Sequence, residues 1–260
     1  MPIPDDGYPR AAGVSPRLQV ASRTASTNAD LVSAVSEGAA DDWPHLSVLL
    51  TTDQTAGRGR LDRSWTTPPG TALAVSVLVR VPGIPLAARG WIPLVAGAAM
   101  TRAVDARMRA TGHTARLKWP NDVLVDGLKI CGILAEVTAD PDAIVIGAGV
   151  NTTMTRSDLP VTTATSFATL GVEPDDDAML ADYLRALDEQ LAALAAAHGD
   201  AAAAGVHGEV EALCSTVGRE VIVALPDGSE LAGVAERIDN DGRLVVAGRA
   251  VSAGDVVHVR

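Results

Sequence analysis

Arg58, Arg60 and Arg63 fall within six positions of one another in the stretch DQTAGRGRLDRSW, residues 53–65, of a 260-residue chain with 32 acidic and 21 basic side chains. Guanidinium groups two apart on an extended chain point the same way, and their donor forks match the oxygens of a carboxylate or a phosphate. Gly57 and Gly59 let the backbone come close to a ligand. The chemistry such a stretch suits is the holding of a compact anion. It ends in no Gly-Lys-Ser/Thr, so it is not a P-loop, and the third glycine of a dinucleotide fingerprint would fall at Asp62. The alternative is a solvated loop whose arginines pair with the chain's own acidic residues.

A second cluster lies in KWPNDVLVDGLKICGILAEV, residues 118–137. Asp126-Gly127 between two apolar runs predicts a β-hairpin. Pro120 stiffens the approach to its first strand, and Asn121 and Asp122 stand at the head, where their side chains suit a ribose or a cation-bound phosphate. Lys118 is close by. Lys129 sits inside the otherwise apolar second strand, where it either meets an anion or faces solvent on the polar side of the hairpin. Gly132, three residues on, lets a ligand or another backbone approach.

The elements that must position these groups are legible from periodicity. Strand-like runs at Ser47–Leu50, Ala72–Arg80, Val123–Val125, Ile130–Val137 and Ile144–Val150 alternate with helical stretches at Asn28–Glu37, Trp91–Ala110 and Ala178–Ala197. The last carries Leu180, Leu184, Leu187, Leu191 and Leu194 on one face, acids at 175–177 before its start and Gly199 after its end. Ala201–Ala204 reads as the tail of that helical region. The arginine stretch therefore connects two strands over about 20 residues, a length that is usually functional. Residues 1–16, rich in proline and glycine, read as a loose arm. Residues 215–260 switch to short β-rich runs broken by Pro-Asp-Gly and Asn-Asp-Gly turns, which predicts a small antiparallel barrel of four or five strands.

Composition bounds the partners. The formal charge of −11 leaves no broad basic face for nucleic acid or acidic membrane. Cys131 and Cys214 have no metal-ligand spacing, and Cys131 reads as a small buried residue. No apolar run approaches the ~20 residues of a membrane span, and the first ten residues lack the basic and apolar regions of a secretion signal, so a cytoplasmic setting is expected.

GRGRLDRSW, KWPNDVLVDGLKICGILAE, GAGVN at 147–151 and ASTNADL at 25–31, four separate motifs more specific together than any one alone, resemble the motifs of the biotin protein ligases. The resemblance covers about residues 18–260. It implies an α+β fold: a class II aminoacyl-tRNA synthetase-like catalytic domain, a mixed sheet flanked by helices over residues 17–214, followed by an SH3-like barrel over 215–260. It implies two steps, in which the biotin carboxylate attacks the α-phosphate of MgATP to give biotinyl-5′-AMP and pyrophosphate, and a lysine of a biotin carboxyl carrier domain then displaces AMP. Carried over position by position, it assigns Ser26, Thr27, Gln54, Gly57, Arg58 and Lys129 to biotin, with Gly132, Gly147 and Gly149 lining its path. Arg60, Arg63, Trp65, Lys118, Asn121, Lys129 and Asn151 go to the nucleotide. Lys129, Arg60, Arg58 and Asp122 carry the chemistry, Mg2+ arrives with ATP, and no protein metal site is implied. Ser26 or Thr27 also suits capping of the helix that follows.

The arginine loop is expected to be free without ligand and to order when biotin or the adenylate supplies an anion. Some family members carry an N-terminal helix-turn-helix; the short arm and acidic charge here imply no DNA binding, and the chain is expected to be a monomer or weak homodimer. The rival readings are a lipoate ligase and a catalytically silent adenylate-binding protein.

Overall fold

The computed structural model describes residues 7–36, 42–61, 63–225, 227–252 and 254–259. A short helix α1 (Pro9–Ala12) leads to β1 (Leu18–Val20), α2 (Thr27–Ser36) and β2 (Ser47–Thr51). The two-residue strands β3 (Gly57–Arg58) and β4 (Ser64–Trp65) follow, then β5 (Ala72–Arg80) and α3 (Ile92–Met108). Next come β6 (Ala115–Lys118), β7 (Asp122–Val125), β8 (Leu128–Val137), β9 (Ala143–Asn151), α4 (Asp176–Ala196) and α5 (Val206–Leu213). The chain closes with β10 (Glu220–Ala224), β11 (Glu230–Ile238), β12 (Leu244–Val246), β13 (Arg249–Val251) and β14 (Asp255–His258).

Seven strands form one sheet in the order β1-β2-β5-β9-β8-β7-β6, parallel only between β1 and β2. The period-two alternation of the long strands divides its faces. Val75 and Val77 of β5, Ile146, Ala148 and Val150 of β9 and Ile133 of β8 belong to the main core, together with α3 and α4. α3 is buried around most of its circumference, as a helix sandwiched between a sheet and other helices must be. On the other face, Leu49, Leu78, Ala143 and Val145 pack against Leu31 and Val35 of α2 and against Trp43. Farther along that face the large residues stop, and the site begins there.

The hairpin between β7 and β8 turns at Asp126 (φ 50°) and Gly127 (φ 84°), the left-handed pair that Asp-Gly supplies. α4 starts at Asp176, two residues earlier than expected, because the Asp175 side chain accepts from Ala178 N at 3.0 Å and caps it.

Two expectations are corrected. The N-terminal arm is not loose from residue 8 onward: Tyr8 and Ala11 are buried, and the carboxylate of Asp177 accepts from Arg10 N (3.0 Å) and Ala11 N (2.9 Å). A tyrosine side chain burying into a helix pair outweighs the lack of periodicity around it. Residues 1–6 of the arm lie outside the described residues. Residues 201–204 are not the tail of α4 either, since His198 (φ 51°) and Gly199 (φ 87°) end that helix and 201–205 form a turn before α5.

The C-terminal strands make an antiparallel sheet in the order β13-β12-β11-β10-β14, with β13 and β14 at its edges and no pairing among the described residues that closes it. Two buried indoles fasten it to the rest: Trp91 Nε1 donates to Asn240 O at 2.8 Å and Trp119 Nε1 to Gly242 O at 3.1 Å. Gly242 takes φ 79°, which lets the turn reach both.

Candidate active site

The floor of the site follows from register. Across the seven-stranded sheet Thr51 pairs with Ala74, Ala74 with Gly149, Gly149 with Gly132 and Gly132 with Asp122. In the adjacent row Ser76 pairs with Gly147 and Gly147 with Leu134. Paired residues face the same way, so three glycines, an alanine and a serine leave a trough in the face that α2 covers farther on. Other side chains fill the space the missing ones vacate. A Cβ on Gly147 would lie 2.4 Å from Asn28 Oδ1, and one on Gly149 would lie 2.9 Å from the Trp65 ring. The glycines expected along a ligand path thus also seat Asn28 and Trp65.

Lys129 is aimed by a bulge. The β7–β8 register shifts so that Leu124 pairs with Lys129 and Val123 with Cys131, leaving Ile130 as the extra residue. Lys129 and Gly132, three apart, would otherwise face opposite ways. With the bulge, the lysine lies over Gly132, where a Cβ would stand 3.1 Å from Nζ. Its ammonium is 2.6 Å from Asp122 Oδ1, so it meets an anion while the side chain stays 44% exposed. Cys131 beneath is buried, which pushes its thiol up to about 12 and leaves it unreactive.

The start of α2 forms the deep end. Ser26 Oγ accepts from Ala29 N at 3.3 Å, the capping bond its position suggests. Thr27 donates through N and Oγ1 to Gln54 Oε1 at 2.9 and 3.1 Å, and Ser76 Oγ donates to Thr27 Oγ1 at 2.8 Å. Asn28 Nδ2 donates to Leu134 O (3.2 Å) and Glu136 Oε2 (2.7 Å), while its Oδ1 accepts from Ser76 Oγ (2.5 Å).

Residues 57–61 and 63–65 form a strap whose ends pair as β3 and β4, Gly57 with Trp65 and Arg58 with Ser64. Its arginines do not point together as an extended chain would make them. Arg58 pairs with Glu136 at 3.0 Å. Arg60 donates to Asn121 Oδ1 at 2.9 Å and to Gly254 O at 3.4 Å, and Arg63 pairs with Asp255. The β3–β4 ribbon spans only residues 57–58 and 64–65, so the residues between are free of strand alternation and fan out. Both readings offered by the sequence are met in part, since the arginines border a cavity and two of them pair with carboxylates. Asn121 is likewise occupied: its Nδ2 donates to Ile133 O at 2.8 Å, so its amide orients Arg60. Burial lowers the Arg60 pKa, with Asp122 opposing and Arg63 adding to the shift. Burial also lowers that of Lys118, against the pull of Asp122 and with the push of Lys129 and Arg63.

These elements enclose a cavity of about 260 Å³. Of the residues singled out in the sequence, Ser26, Thr27, Gln54, Arg58, Arg60 and Arg63 line it, as do Trp65, Asn121, Asp122, Lys129, Gly132, Gly147, Gly149 and Asn151. Gly57 and Lys118 do not. Gly57 serves packing, because a Cβ there would lie 2.3 Å from Gln54 Nε2 and 2.4 Å from Trp65 O, and Lys118 pairs across the hairpin with Asp122. Four residues were not anticipated: Asn28 and Asp255, which line the cavity, and Ser76 and Glu136, which lie outside its lining and hold Asn28. Asn28 was signalled only by its place in ASTNADL, and Asp255 reaches the cavity from the far end of the chain. Among the described residues no group of three or more His, Cys, Asp or Glu side chains is arranged to hold a metal ion, and no helix is long and apolar enough to cross a membrane.

Fold and site together define an α+β protein with a cavity walled by a cationic strap and a strand lysine. Residues 20–151 match the Biotin/lipoate A/B protein ligase family, and the chain belongs to it. It is 41% identical over 249 residues to the biotin–(acetyl-CoA-carboxylase) ligase of Mycobacterium tuberculosis, covering 94% of this chain and 90% of that protein. It is 39% identical over 134 residues to the ligase of the same name from Paracoccus denitrificans, covering 50% of this chain and 52% of that one. The biotin protein ligase of Aquifex aeolicus, solved in complex with biotin and ATP, shares the fold with a TM-score of 0.73 at 23% identity, over 94% of this chain and 99% of that one.

Proposed function

We propose that this protein is an ATP-dependent biotin ligase, which joins biotin to a lysine of a biotin carboxyl carrier domain through biotinyl-5′-AMP. The observation that carries the reading is the convergence of Arg60, Arg63 and Lys129 on one cavity floored by small residues. In the first step a carboxylate oxygen of biotin attacks the α-phosphorus and the bond to pyrophosphate breaks. Two anions must approach, so fixed cations lower the barrier more than any nucleophile of the protein could. Lys129 serves the carboxylate and the α-phosphate, and Arg60 and Arg63 serve the phosphates. Thr27, Gln54 and Ser26 belong to the biotin end, where Arg58 contributes the strap backbone while its guanidinium engages Glu136. Trp65 over Gly149 and Asn151 flank the adenylate. Lys118 adds positive potential behind Asp122.

In the second step the acceptor amine attacks the acyl carbon and AMP leaves. The amine must lose a proton, and Asp122 is the carboxylate at the cavity wall nearest Lys129. Magnesium belongs to the nucleotide substrate, since Mg2+ is commonly held by phosphates with one or two carboxylates. We further assign 17–214 to a class II synthetase-like catalytic unit and 215–260 to an SH3-like unit, and infer a cytoplasmic protein, monomeric or weakly dimeric, without a DNA partner.

The test is pyrophosphate release from purified protein with biotin and MgATP, followed by mass gain on the lysine of a biotin carboxyl carrier domain. Release and transfer are expected. Both with lipoate and its carrier, and neither with biotin, would move the protein to the lipoate branch of the family. Binding of an adenylate without turnover would make it a sensor.

A further inference from the structure

Glu136 stands at the end of the trough opposite Lys129, on the face that carries Gly132 and Leu134. One of its oxygens, Oε2, accepts from Asn28 Nδ2 at 2.7 Å and from Arg58 at 3.0 Å. Asn28 in turn is held by Leu134 O and Ser76 and fits only because residue 147 has no side chain. A connected path therefore runs from the sheet floor through Asn28 and Glu136 to the strap. Gly57, next to Arg58, pairs with Trp65 in the strap ribbon, and a Cβ there would lie 2.3 Å from Gln54 Nε2, so the backbone beside Arg58 sits directly against both residues.

We propose that Glu136 is a positioning residue of the ligase reaction, tying the strap to the floor and thereby setting the width of the biotin end of the cavity. The inference rests on the ligase reading. Arg58 is 46% and Glu136 23% exposed at the side chain, and ion pairs that accessible contribute little to stability. The worth of this one lies in geometry. Small displacements of a binding wall have large effects on the reaction it supports.

The experiment compares wild type, Glu136→Gln, Arg58→Gln and the double variant. Glutamine at 136 keeps an acceptor for Asn28 and removes the charge. Each single variant is expected to raise the biotin KM about tenfold with kcat changed less than about threefold, and the double variant to match either single one within about twofold. Thermal midpoints should stay within about 2 °C of wild type. Trypsin, which cleaves after arginine, should nick the strap after Arg60 and Arg63, the sites kept in every variant, several-fold faster in all three. A wild-type KM and nicking rate in Glu136→Gln would overturn the proposal, and so would single effects that multiply in the double variant. If wild type releases no pyrophosphate with biotin, the ligase reading fails instead, and the nicking comparison still tests the tie.

Discussion

Lys129 owes its direction to two local departures from a regular strand, the extra residue at Ile130 and the missing side chain at Gly132. Neither is visible in the hydrophobic pattern, although a charged residue in an apolar run with a glycine nearby is itself a signal. The ammonium is close enough to Asp122 to be fixed before any substrate arrives, which is what preorganised charge stabilisation requires. Lys129→Ala should therefore lower biotin-driven pyrophosphate release by about 10²–10³, in line with the loss of one preorganised donor from a charge-stabilising site. The measurement is kcat/KM for the first step alone, and a loss below about threefold would remove Lys129 from the chemistry. Asp122 is left with Lys118 and Arg60 as counter-charges in that variant, so a gross loss of folding is not expected.

At the scale of elements, strands and helices were legible wherever a long run of apolar residues is buried. β5 runs over Ala72–Arg80 as its pattern indicates, and α2, α3 and α4 depart from the patterned stretches only at their ends. What the pattern could not supply is pairing between distant segments. The arginines of the strap announce an anion, yet Glu136, Asn121 and Asp255, which receive them, lie 78, 61 and 192 residues away in chain order. α1 escaped for a similar reason, because four residues carry no period and the helix is held by Asp177 of α4. A strap fastened by side chains rather than by a ladder opens at low cost, since few backbone bonds oppose it. Biotin with MgATP should protect residues 57–65 from trypsin at least about fivefold relative to the protein alone. Equal nicking with and without the substrates would mean that the strap does not close on them.

The whole molecule is acidic, and one of its acids is out of place in solvent terms. Asp176, in the first turn of α4, is buried beside Tyr8, and neither Asp176 Oδ1 nor the Tyr8 hydroxyl has a hydrogen-bond partner among the described residues. Burial, with Asp175 adding to it, raises the carboxyl from 3.8 to about 6. Burial and the charge of Asp176 also hold the Tyr8 hydroxyl above the ordinary tyrosine range. A carboxyl whose folded pKa exceeds its unfolded value binds its proton more tightly in the folded state, so stability falls as pH rises between about 4 and 6 and stays lower above that. The shift corresponds to a cost on the order of 2–3 kcal/mol at neutral pH, a figure set by burial and not by any loss of contacts. Asp176→Asn removes the charge at every pH while nearly keeping the shape. The variant should therefore be more stable than wild type at pH 7.5, by on the order of 1–3 kcal/mol, and should keep only about a third of that advantage at pH 4.5. Urea unfolding of both proteins at the two pH values decides it: an advantage of equal size at both would mean that the carboxyl is ionised in the folded state throughout, and that the attachment of residues 8–12 to α4 does not depend on its proton.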